Sequence, residues 1–123
     1  MKTKKIKQVR TIDVLRAAKK IISDPKRWCR GALVRTSSGA RTTCGDPKGV
    51  RFCAVGAIEH VLFSLGIRPN TIGGKLWDSL DEIAGRYHYS RGLITVNDET
   101  MYGRQTVLKV YADAISELES QGQ

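Results

Sequence analysis

Between Phe52 and Leu65 the chain reads FCAVGAIEHVLFSL, and only Glu59, His60 and Ser64 interrupt the apolar residues. A helix that is apolar nearly all round its circumference belongs inside a protein, packed against neighbours on most sides. The fold is therefore expected to be built around residues 52–65 as a buried central helix. Gly56 and Ala57 mark a point where a neighbouring segment approaches closely. Gly66 followed by Ile67 reads as a C′ glycine with its hydrophobic partner, which ends the helix. A chain of 123 residues suits one domain and buries about two thirds of its unfolded surface, enough for a core without staples.

The elements around that helix follow from periodicity. Residues 1–10 are polar and basic and read as a flexible arm ahead of a domain spanning 11–119. Thr11 is expected to cap a first helix, with Asp13 in its first turn. Ile12, Leu15, Ala18 and Ile22 trace its apolar face, widened by Val14, Ala17 and Ile21. Asp24-Pro25 ends it, because the residue before proline avoids the α region. Trp28 then anchors the chain to the core. ALVRT and ARTTC flank the turn SSG, which predicts a short hairpin. GDPKG (45–49) is a further turn, and the pattern leaves open whether a strand continues to Phe52.

After Gly66 a loop at Arg68-Pro69-Asn70 leads to a third helix capped by Thr71. Ile72, Leu76, Leu80 and Ile83 form its apolar face, beside Trp77 and Ala84, and Gly85 stops it. Asp78, Asp81 and Glu82 take its outer face. RYHYSRG (86–92) is an aromatic, basic loop. LITV (93–96) predicts a short strand, and NDETMYG a turn into a last helix carrying Val107, Val110, Tyr111, Ala114 and Leu118. The expected class is α+β and mostly helical: about four helices around the buried one, a small β-hairpin and one short extra strand.

RWCRGALVRTSSGA, VRFCAVGAIEHV and VNDET together resemble a family of small uncharacterised bacterial and bacteriophage proteins. The matching residues are Trp28, Gly31 and Ala32; then Cys53, Ala54, Gly56 and Ala57; then Asn97 and Asp98. The similarity covers roughly residues 11–118, with the basic arm as an addition. It implies an origin in a phage or mobile element and no particular activity.

The distribution of charge bounds the partners. Residues 1–51 hold 15 basic and 3 acidic residues, a net +12, and residues 52–123 hold 6 and 9, a net −3. A field polarised this way favours polyanions and acidic surfaces. Lys2, Lys4, Lys5, Lys7 and Arg10 supply the arm. Arg16, Lys19 and Lys20 lie on the polar face of the first helix, and Lys26, Arg27, Arg30, Arg35 and Arg41 follow in the loop and hairpin. No helix-turn-helix, zinc finger or RNA-binding signature accompanies them. No run of apolar residues is long enough to span a membrane, and no signal-peptide core follows MKTKKIKQVR. Three cysteines without framework spacing fit reduced thiols in a bacterial cytoplasm, and a Cys29–Cys44 bridge across the hairpin does not fit that compartment.

Cys53 is the residue on which catalysis would turn. A thiol at a helix start is acidified by unpaired amides, with Arg51 adding to the effect. His60 lies seven residues on, about 10 Å along a regular helix axis, and so cannot be its direct base. A minimal cysteine hydrolase or transferase would need His88 folded back onto Cys53, with Asn97 or Asp98 as the orienting group. The competing expectation is a small buried core thiol, since free cysteine is among the most buried residue types. Asn97 and Asp98 are expected to cap the last helix, or to line a polar pocket with Trp28 or Tyr102. His60 reads as a partnered histidine of the interior. Cys29, Cys44, Cys53, His60 and His88 contain no close pair of the kind structural zinc uses, so no metal and no cofactor is expected. The leading expectation is a non-enzymatic basic protein that binds nucleic acid or an acidic protein surface, as an inhibitor of a host system would.

Overall fold

The computed structural model describes residues 10–68, 74–87 and 92–122. Helix α1 (Thr11–Ile22) leads through a 3₁₀ turn (Pro25–Arg27) to strands β1 (Val34–Thr36), β2 (Arg41–Thr42) and β3 (Gly49–Phe52). Helices α2 (Ala54–Ser64), α3 (Gly74–Tyr87), α4 (Leu93–Glu99) and α5 (Gly103–Ser120) follow. The protein is α+β and mostly helical.

Helix α1 starts one residue earlier than its sequence suggests. The Arg10 carbonyl already accepts from Asp13 N and Val14 N, and Thr11 lies inside the helix. The expected apolar face holds: Ile12, Val14, Leu15, Ala18 and Ile22 are buried. The hairpin of β1 and β2 is present, and β3 pairs with the other edge of β1, giving an antiparallel sheet ordered β2-β1-β3. The extra strand therefore precedes α2 rather than following α3. Trp28 bridges to Phe52 beyond the sheet, tying the segment after α1 to the end of β3.

Helix α2 buries Ala54, Gly56, Ala57, Ile58, Val61 and Leu62. Its last turn emerges: Phe63 is 56% exposed and Leu65 50%. The helix is thus buried along one face and at its start, packed on α1 and α4, while α5 packs on α1, α3 and α4. Gly66 ends it in the left-handed region at φ 74°, where the amide of Ile67 reaches back to the Leu62 carbonyl, the C-cap geometry expected of a C′ glycine. Gly56 meets the residue just before β1: a Cβ there would overlap the Leu33 carbonyl oxygen, so only glycine permits the approach.

Two boundaries differ from their sequence patterns. Gly85 does not stop α3, which runs on to Tyr87. Arg86 pairs with Glu117 at 2.7 Å and the Tyr87 hydroxyl donates to Asp113, so contacts with α5 carry the helix past the glycine. LITV is not a strand but the opening of α4. Leu93, Val96 and Asn97 share its buried face at helical spacing, and Asp81 on α3 accepts from the Leu93 amide at 2.9 Å. That carboxylate satisfies a helix-start donor that no local residue satisfies. The expected Thr71 cap and Ile72 lie outside the described residues.

One apolar cluster draws on α1, β1, β3 and all of α2 to α5, and Tyr111 and Phe52 are its largest fully buried members. No helix among the described residues is long and apolar enough to cross a membrane.

Candidate functional site

The three motifs carrying the family resemblance meet at one side chain. Asn97 is fully buried on α4, at a position where the helix period calls for an apolar residue. Its Oδ1 accepts from Trp28 Nε1 at 2.7 Å and from the Ala54 amide at 3.0 Å. Its Nδ2 donates to the Cys29 carbonyl at 3.0 Å and to Asp98 Oδ1 at 2.8 Å. Asp98 Oδ1 also accepts from the Gly31 amide at 3.1 Å. Asn97 therefore does cap a helix, but the helix is α2, not α5. The N-cap position of α5 is Tyr102, with no side-chain cap bond.

Neighbours complete this node. The Tyr111 hydroxyl donates to the Ala54 carbonyl, and Arg30 donates to the carbonyls of Asp98, Thr100 and Met101 at the end of α4. The Arg30 guanidinium lies 5.0 Å from the Trp28 ring, a cation–π stack. Every buried side-chain polar atom among the described residues has a hydrogen-bond partner. A network satisfied in this way rigidifies an interior. Tyr102, expected near Asn97 in the pocket reading, is 64% exposed on the outside.

Cys53 caps α2 with its sulfur, accepting from the Gly56 amide at 3.3 Å. That bond favours the thiolate, as the helix start predicts. Burial outweighs it and pushes the Cys53 thiol up, and Asp98 and Glu59 add to the rise. Burial, followed by the nearby Cys53, pushes Cys29 up to about 11. His60 packs on the Phe52 ring with centroids 4.5 Å apart. Burial, then Arg27, depresses its pKa, against a hydrogen bond with the Cys44 backbone. His88 lies outside the described residues. All three cysteines are free. Among the described residues no group of three or more His, Cys, Asp or Glu is placed to hold a metal ion.

A buried thiol with a raised pKa reacts slowly, which sets a first expectation. With iodoacetamide at about pH 8, the half-buried Cys44 should be alkylated before Cys53 and Cys29 in the folded protein. All three should react together in denaturant. Peptide mapping by mass spectrometry reads the order, and rapid native labelling of Cys53 at about pH 6 would instead mark an activated nucleophile.

The basic residues fall into two groups. Arg10 pairs with Asp13, and Arg16 with Asp13 and Glu119. Arg30 spends its donors on α4, and Arg35 bonds the carbonyls of Arg30 and Gly39. Arg27 covers the Phe52 ring at 5.5 Å. These five are tied into the fold. By contrast Lys19, Lys20, Lys26, Arg41, Lys48 and Arg51 make no ion pair among the described residues, and all but Lys19 and Arg51 are exposed. Lys19 and Lys20 line an open groove of about 360 Å³ between α1 and α5, with Arg16, Ser23, Ser116 and Glu119. Lys2, Lys4, Lys5 and Lys7 lie outside the described residues.

Lys48 and Arg51 are absent from the binding residues that charge patterning singled out. The signal for Arg51 was its place in a strand, which the turn-rich stretch before Phe52 obscured.

These features define a small basic α+β protein in which one buried polar node ties the segment after α1 to α2, α4 and α5. The chain belongs to the family of unknown function DUF6197, whose model matches residues 7–117. The span agrees with the resemblance carried by the three motifs, and it places residues 7–10 inside the family pattern rather than in an added arm. No curated protein and no solved structure matches the chain.

Proposed function

We propose that this protein acts by binding, through the basic surface of its first half, to a polyanion: nucleic acid or an acidic protein surface in a bacterial cytoplasm. The observation that carries this reading is the unneutralised charge. Of the net +12 in residues 1–51, the lysines of α1 and the 3₁₀ turn and the arginine of β2 stand without acidic partners among the described residues. A surface that leaves like charges uncompensated raises the local concentration of anions. The node at Asn97 supports a scaffold role for the three motifs, because its hydrogen bonds are spent within the fold. The reading of Cys53 as a nucleophile has no comparable support, given the burial of the thiol.

Binding of labelled duplex DNA, followed by anisotropy across a salt series, tests the proposal. Six phosphate contacts give a slope of log K against log salt near about −5. Reversing Lys19, Lys20 and Lys26 to Glu should weaken binding at least about tenfold at about 0.05 M salt and flatten the slope by about 2 to 3. A wild-type protein that binds neither duplex DNA nor heparin at that salt, and captures no acidic protein, would sink the reading.

A further inference from the structure

The strand register places three arginines side by side. Arg35 on the central strand β1 is opposite Arg41 on β2 and opposite Arg51 on β3. Residues directly opposite each other in a sheet project to the same face, so the three form one row across it, on the face away from buried Val34 and Phe52. Neighbouring strands lie about 4.8 Å apart, and the row spans about 10 Å.

Such a row works against folding. Like charges directly opposite each other destabilise a sheet. None of the three makes an ion pair among the described residues. Protection of a sheet edge accounts for a charge on β2. The same reason covers β3, the other edge, but it does not account for a third like charge on the central strand β1 between them. The middle guanidinium is held flat by the carbonyls of Arg30 and Gly39, which fixes positive charge at the centre of the row. Arg41 and Arg51 flank it, and their side chains make no hydrogen bond or ion pair among the described residues.

We propose that this face of the sheet receives the phosphodiester backbone of a nucleic acid, with Arg41 and Arg51 as the anion-binding groups on either side of Arg35. The proposal rests on the polyanion reading and assigns it a surface and a ligand chemistry. Guanidinium forks match phosphate oxygens bidentately. A phosphodiester chain offers regularly spaced anions to a regularly spaced row. An acidic partner would have to present carboxylates in a matching row on a folded surface, whereas every phosphodiester linkage of a nucleic acid carries its charge, which makes an acidic protein the poorer fit.

The test uses the full chain, a labelled 20-nucleotide single strand, its duplex and poly-glutamate, each titrated across salt. The double variant Arg41→Gln/Arg51→Gln should bind both DNA forms at least about tenfold more weakly, with the duplex slope shallower by about 2 and the single-strand slope by about 1.5. Its thermal midpoint should stay level or rise, because a repulsion has been removed. Arg41→Lys/Arg51→Lys should keep the wild-type slope. Preference for one DNA form identifies which nucleic acid supplies the backbone. If the wild type binds DNA and the Gln variant matches it, the sheet assignment is overturned while the polyanion reading stands. If the wild type binds none of the probes, both fall. A lower midpoint in the Gln variant shows the row to be structural and overturns the assignment, as does tighter binding to poly-glutamate than to either DNA.

Discussion

Asn97→Ala is expected to lower stability by about 3–5 kcal/mol, a large fraction of the total for a domain of this size. The substitution removes one small side chain but breaks four hydrogen bonds at once: it strands the Trp28 indole N–H, the Ala54 amide and the Cys29 carbonyl, and it leaves Asp98 Oδ1 with the Gly31 amide alone. A buried polar group left unpaired costs about 1–3 kcal/mol, and the four losses are not fully additive because they share one cavity. Asn97→Leu should be nearly as harmful although it fills the space, since it satisfies none of the four. Urea unfolding reads the effect as a fall in midpoint of about 2 M at an unchanged slope. A shift under about 0.5 M would mean that water replaces the side chain and that the node does not hold α2 to α4.

Gly56→Ala is the second large effect, and its sign is unusual. Alanine for glycine inside a helix normally gains about 0.5–1 kcal/mol. Here the new Cβ would overlap the Leu33 carbonyl oxygen and lie 2.8 Å from its carbon. The obstacle is backbone, and the same carbonyl accepts from the Cys53 amide at 3.0 Å. The chain before β1 must move, and the cap of α2 moves with it, for an expected cost of about 3 kcal/mol. Gly85→Ala is the control: nothing lies within 4 Å of a Cβ on this helical glycine, so the ordinary gain of about 0.5–1 kcal/mol should appear. Measured together by thermal unfolding, the two alanines should move in opposite directions. A shared direction would contradict the close contact at Leu33.

The elements legible in the sequence were those whose cause is local. The face of α1, the hairpin around SSG, the apolar run of α2 and its glycine stop follow from spacing and turn chemistry within a few residues. The misread elements have distant causes. LITV carries strand-forming residues, yet the donor at its start is satisfied by Asp81 from another helix, and Leu93 and Val96 face the core at helical spacing. Asn97 has the chemistry of a cap, and it is one, for a helix that begins 43 residues earlier. No window along the chain contains both partners. The basic half was legible as composition. Its division into arginines committed to carbonyls or carboxylates and residues left without ion pairs depends on side-chain contacts. The row across the sheet depends on register, which a one-residue slip would abolish.

The node at Asn97 also dictates an order of events during synthesis. Its bonds close across 43, 68 and 69 residues of chain. On the ribosome, the start of α2 is translated well before the side chain that secures it. At about 5–20 residues per second, the interval is about 2–9 s. Through that interval the most apolar stretch of the protein is tethered to α1 and the sheet alone, with the indole of Trp28 and the amide of Ala54 still open to water. The chain therefore passes through a nascent stage in which a hydrophobic helix is complete but unlatched. Until α4 emerges, that apolar surface is open to aggregation.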